Sequence, residues 1–169
     1  WVLAQLLWNP QQDDRKLIQE FLEGYFGKAA AKPISDYLEL MHQASEGVYL
    51  GCFLRTDQSS HLNFSTLASA EQFWQAAEKA TQNDPEKNER VRLAHLPVRC
   101  AFLKNWKRLR EECRQQKAEW PLPGISRVVE EFRTVSAGVP GKDWTHVRVI
   151  SEHGPTVEDF LKKFDKTEK

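Results

Sequence analysis

The stretch DDRKLIQEFLEGYFG, residues 13–27, decides the fold class. Its two aspartates stand where the first free amides of a helix need an acceptor. Leu17, Ile18, Phe21, Leu22 and Tyr25 then recur at helical spacing, and Gly27 supplies a left-handed stop. Start, apolar stripe and stop within one short stretch predict an amphipathic helix.

Upstream lies WVLAQLLWNP, residues 1–10, with Val2, Leu3, Leu6 and Leu7 at helical spacing and no capping side chain ahead of them. Pro10 closes this segment, because proline cannot continue the amide ladder. The single methionine of the chain is Met41. The expectation is therefore the tail of a helix begun upstream, at the start of a single helical domain over 1–169.

Downstream, a second helix is predicted over 29–45 with Pro33 in its first turn and Ile34, Tyr37, Leu38, Met41 and Ala44 facing inward, antiparallel to the first. From 47 to 65 the period disappears, predicting a long ordered loop with a short strand at 48–50. Helical spacing returns over 69–81. Asp84 then caps a long element that starts at Pro85 and runs to 117, about 50 Å of helix, with a bend at Pro97. WPLPG at 120–124 breaks the chain, a helix follows over 126–135, HVRVI at 146–150 alternates as a strand would, and a last helix spans 156–165. The predicted fold is mainly α: a helical bundle of about six to seven helices, one of them long and kinked, with at most a short strand or two.

The bulk numbers remove several functional classes. Twenty-four basic residues balance twenty-four acidic ones, so no overall field gathers nucleic acid or an anionic membrane. No apolar run approaches the ~20 residues of a membrane span. The cysteines, Cys52, Cys100 and Cys113, form no CxxC pair, and on one helix Cys100 and Cys113 would lie ~20 Å apart, too far to bridge. The five histidines show no HxxxH or HExxH spacing, so neither metal nor cofactor is expected. Glu111–Glu112 and Glu130–Glu131 are neighbours projecting ~100° apart on a helix, which cannot address one reacting centre. The basic run RCAFLKNWKRLREECR, 99–114, spreads its charge around the helix and mixes in acids, as a salt-bridged outer face does, so no nucleic-acid partner is expected.

Taken in order, WVLAQLLWNP, LIQEFLEGYFGKAA, ISDYLELMH, FWQAAEKATQNDPEKNERVRLAHLPV and VISEHGPTVEDF resemble the carboxy-terminal helical region of a bacterial domain-of-unknown-function family similar to α-glucuronidases and related barrel glycoside hydrolases. The resemblance implies a helical accessory domain, non-catalytic by itself, that packs on a preceding catalytic barrel through Trp1, Val2, Leu3 and Leu6. It also implies a parent that processes carbohydrate and is exported. The alternative is a free-standing helical module that binds protein or nucleic acid. Should the domain touch a glycan at the cleft rim, the residues chosen are Tyr49, Arg55, Asp57 and His61 in the aperiodic loop. An aromatic ring stacks on a sugar face, while a guanidinium and a carboxylate bind hydroxyls or a uronic carboxylate.

Overall fold

The computed structural model describes residues 1–51, 59–137 and 156–164. Its backbone packing divides into two units, Trp1–Trp120 and Pro121–Lys169. The regular structure among the described residues is eight helices, and none of these helices is long and apolar enough to cross a membrane.

In the first unit α1 (Val2–Trp8) buries no residue of its own. After Pro10 the chain turns into α2 (Asp14–Phe26), whose start is fixed as its text implies: the Asp13 carboxylate accepts the Lys16 amide at 3.1 Å. The expected stripe splits into two faces. Leu17, Leu22 and Phe26 enter the core, whereas Phe21 stacks on Trp1 at 6.3 Å and on Tyr25 at 5.4 Å, leaving Tyr25 exposed. Phe26 takes the inward place because its ring meets Phe21 and Tyr25 edge-on and turns away from that row.

Gly27 alone joins α2 to α3 (Lys28–Ser45). Its φ of 92° is open to glycine and strained for other residues. The Lys87 side chain also lies over it, 2.7 Å from where a Cβ would stand. The amides of Ala30 and Ala31 both reach the Gly27 carbonyl, so α3 begins at Lys28 and Pro33 falls past the first turn. The first-turn placement of Pro33 is thus corrected, at the expense of one ladder bond to Ala29. Residues 48–50 follow α3 without forming the expected strand; 146–150 lies outside the described residues.

Helix α4 (Phe64–Thr81) begins five residues before the expected 69. Asn63 caps it by accepting the Thr66 amide at 3.0 Å, and the Phe64 amide donates to Glu112 at 2.7 Å. That second acceptor lies 48 residues along the chain, which is why local pattern places the start late. Buried alanines, Ala30 and Ala31 on α3 and Ala70 and Ala77 on α4, keep side-chain bulk low where these two helices run together.

Asp84 caps α5 (Pro85–Lys104), accepting the Lys87 amide at 3.2 Å with Pro85 at the first position. The long element does end in a break, but not at Pro97. Helix α5 runs through that proline, which is exposed, on the side where helix bonds lengthen most easily. It stops instead at Asn105, and α6 (Trp106–Gln115) begins. Asn105, 4% exposed, sends its side-chain amide to the Ala101 carbonyl at 2.9 Å and its backbone amide to Ala101 and Phe102, while its own carbonyl accepts from Leu109. One asparagine closes one helix and opens the next, because its side chain competes with the backbone for the same carbonyls.

The second unit holds α7 (Ile125–Ala137) and α8 (Val157–Leu161). Thr156 caps α8 by accepting the Asp159 amide at 3.1 Å. Phe132 and Phe160 meet at 6.4 Å and Arg133 reaches Glu158 at 3.2 Å, tying the two helices together, while Glu130 steadies Arg133 from within α7 at 3.1 Å.

Candidate functional site

Three places carry enough chemistry to be considered. The first is the loop after α3. Tyr49 is 86% exposed, and His61 is half-buried in the turn before Asn63; Arg55 and Asp57 lie outside the described residues. The far end of the loop is anchored. Arg108 donates to the Leu62 carbonyl at 2.9 Å and pairs with Glu112 at 2.6 Å, the same carboxylate that accepts the Phe64 amide.

The second is a shallow groove of about 370 Å³ along α2 and α3. Asp14, Arg15 and Ile18 from the start of α2 face Leu38, Glu39 and His42 from the end of α3, which also establishes that the two helices run antiparallel. Both signs of charge line it, Leu38 is exposed, and no buried polar atom is aimed into it.

The third is a cluster that local pattern did not reveal. Glu71 is fully buried on α4 and His95 is 2% exposed on α5. His95 Nε2 lies 2.9 Å from Glu71 Oε2, and Nδ1 lies 2.7 Å from Glu78 Oε1. Arg99 joins Glu71 at 2.8 Å, and Gln75 donates to the same oxygen at 2.8 Å. Trp74 stacks on the imidazole with centroids 5.7 Å apart, and Tyr37 of α3 meets Trp74 at 5.1 Å.

Burial by itself would push the His95 imidazolium pKa down. The hydrogen bonds to Glu71 and Glu78, with the charge of Glu71, outweigh burial and the repulsion of Arg99, so the pKa lies above the ordinary histidine value. Burial pushes the Glu78 carboxyl up in turn. The hydrogen bond and charge of His95, with the charges of Arg99 and Arg92, outweigh that and hold it below its ordinary value. A histidine between carboxylates is the chemistry of general acid–base catalysis, but every ring nitrogen here is occupied by a partner and the ring is sealed from solvent. The cluster is built to hold α4 against α5. Cys100 offers no alternative nucleophile, since burial pushes its thiol pKa up more than Lys104 draws it down.

The signal for this cluster was present but faint. Val91, His95, Val98 and Phe102 are all buried along α5, which puts a histidine in the middle of a core stripe. Glu71 and Glu78 are seven residues apart on α4, two turns along the same face. A buried histidine needs partners, and two acidic residues in register on a neighbouring helix supply them.

Separate from these is the surface of α1. Leu3 is 75%, Leu7 86% and Trp8 91% exposed, with Trp1 at 55%, while Val2 and Leu6 are half-covered. Of the four residues expected to form the apolar patch, Trp1 and Leu3 face outward, and the most exposed side chains are the neighbours Leu7 and Trp8.

Residues 1–39 match a family model described as a domain of unknown function (DUF4838). The matched stretch takes in α1, α2 and α3 as far as Glu39. No curated protein and no solved structure matches the chain.

Proposed function

We propose that this chain is a helical accessory module that packs on the catalytic barrel of a glycoside-hydrolase-like, α-glucuronidase-like carbohydrate-processing protein and performs no chemistry of its own. The observation that carries the reading is α1. It is apolar on nearly every side, buries none of its residues, and lies in the stretch similar to a domain of unknown function. A helix apolar all round is normally enclosed, and a contiguous exposed patch of leucines and tryptophans marks an interface. Covering Leu3, Leu7 and Trp8 would contribute about 1.5–3 kcal/mol for each large side chain, enough to seat one domain on another within the same polypeptide. The barrel would precede this chain, and export of the parent belongs to the same reading. Tyr49, exposed in the irregular segment after α3, is the described residue best placed to reach a glycan at a cleft rim, with Arg55, Asp57 and His61 following it in the sequence.

Replacing Leu7 and Trp8 together by serine in the full-length parent tests the docking. The expected outcome is a lower melting temperature and weaker glycan turnover in the parent, with the isolated chain unaffected. A parent unchanged in both would favour a free-standing interaction module. Turnover of an aryl glycoside panel by the purified chain, abolished by a point mutation within it, would refute the non-catalytic part. For the loop, Arg55→Ala with Asp57→Ala should weaken glycan affinity; unchanged affinity with lower stability would make the loop structural.

A further inference from the structure

The ring of His95 has a carboxyl oxygen at hydrogen-bond distance from each of its nitrogens. A neutral imidazole carries one N–H and one lone pair, so one of those contacts would set a lone pair against an oxygen. Glu71 cannot relieve this easily. Three donors, from His95, Arg99 and Gln75, already converge on its two oxygens, and it has no access to water. Both contacts are satisfied together when the imidazole donates from both nitrogens. Its charge then stands with Arg99 against the two carboxyl groups, closing the charge balance inside the helix seam.

We propose that Glu71, Glu78 and His95 form a proton-held clamp between α4 and α5, closed while the imidazole carries a hydrogen on each nitrogen and weakened when one is lost. The proton leaves by the Nδ1 side. Glu78 is 31% exposed whereas Glu71 is sealed, so the path runs from Nδ1–H through the Glu78 carboxyl to water. Departure of that proton leaves the imidazole neutral, with its Nδ1 lone pair 2.7 Å from Glu78 Oε1, and the two helices lose the Glu78 cross-link while those from His95 and Arg99 to Glu71 remain.

The groups that set the response come from each helix around the ring. Glu71 and Glu78 of α4 favour the charged imidazole, Arg99 of α5 opposes it, and Arg92 of α5 acts on Glu78. From α3 Tyr37 is the titratable group that joins this ring stack, separated from the imidazole by Trp74. Helix α2 meets α5 earlier along its length, where Arg90 covers Tyr25 and Lys87 covers Gly27, and α6 meets α4 at its start, through Glu112 and Phe64.

The raised His95 pKa fixes the direction: the clamp is fully present below the unfolded histidine value near ~6.5 and is lost as pH rises through the higher folded value. Nitrogen-15 NMR of the whole chain tests this, with His95 assigned by its loss in His95→Gln. At pH 7 both ring nitrogens should carry hydrogens, and the titration midpoint should lie above that of an unconstrained histidine. The melting temperature should fall by about 3 °C or more across the same interval, and this fall should vanish in His95→Gln. Should that variant fail to fold, Glu78→Gln carries the decision. Its amide oxygen still accepts from Nδ1–H but the charge is gone, so the His95 midpoint must shift down. A neutral ring at pH 7, an alkaline melting limb that persists in His95→Gln, or a midpoint unmoved by Glu78→Gln would each overturn the clamp.

Discussion

Replacing Glu71 by leucine should be among the costliest single changes available to the first unit. The side chain is fully buried, and its removal strands the His95 Nε2–H in a site with 2% exposure and takes from Arg99 and Gln75 the carboxylate they share. A buried donor left without its acceptor costs about 1–3 kcal/mol, and breaking a buried ion pair from one side costs about 3–5 kcal/mol. Arg99 is 14% exposed and recovers part of its loss through water, which puts the total near ~3 kcal/mol, or roughly 10 °C in melting temperature for a chain of this size. Urea unfolding gives the free energy directly, with an unchanged slope confirming that the native state is otherwise intact. The companion measurement is a cycle with His95→Phe, which removes the stranded donor and returns an apolar ring to the stack on Trp74. The double variant should be more stable than the two single losses predict, by about 1–3 kcal/mol of coupling. A cost for Glu71→Leu below about 1 kcal/mol, or losses that add to within about 0.5 kcal/mol, would refute the view that these groups hold α4 against α5.

Pro97→Ala and Asn105→Ala should have opposite signs. The first restores an amide on the exposed side of α5 and should stabilise by up to about 3 kcal/mol, whereas the second removes a buried hydrogen bond to Ala101 and should cost about 1–3 kcal/mol; the reverse signs under urea would refute the view that Asn105, not Pro97, fixes the end of α5. Glu112→Ala should free the Phe64 amide and release Arg108, so hydrogen exchange at the start of α4 accelerates while Val91 and Phe102 stay protected. Equal protection before and after would show that Asn63 alone caps that helix. On the acid side, the depressed Glu78 pKa means its contribution is complete above the ordinary glutamate value near ~4.3 and lost as pH falls through the lower folded value. Melting temperature against pH should therefore fall less steeply in acid for Glu78→Gln than for the parent chain.

Much of this protein is legible from local text, because helix formation is a short-range matter. The caps at Asp13 and Asp84 follow from side chains that bond amides three residues away, and the stop at Gly27 from a positive φ that glycine adopts without strain, so a reader of the sequence sees each signal locally. Pro97 has the signature of a break but lies on the solvent side, while the break itself rests on a buried asparagine whose importance comes from having no water to turn to. The start of α4 and the Glu71–His95–Glu78 cluster were decided only by the tertiary structure. Their partners lie 17 to 48 residues apart in the chain, and no period of 2 or 3.6 relates positions on different helices. Whether the glutamate at 71 is a solvated surface charge or half of a buried cross-link depends on which face of α5 meets α4, and packing alone sets that.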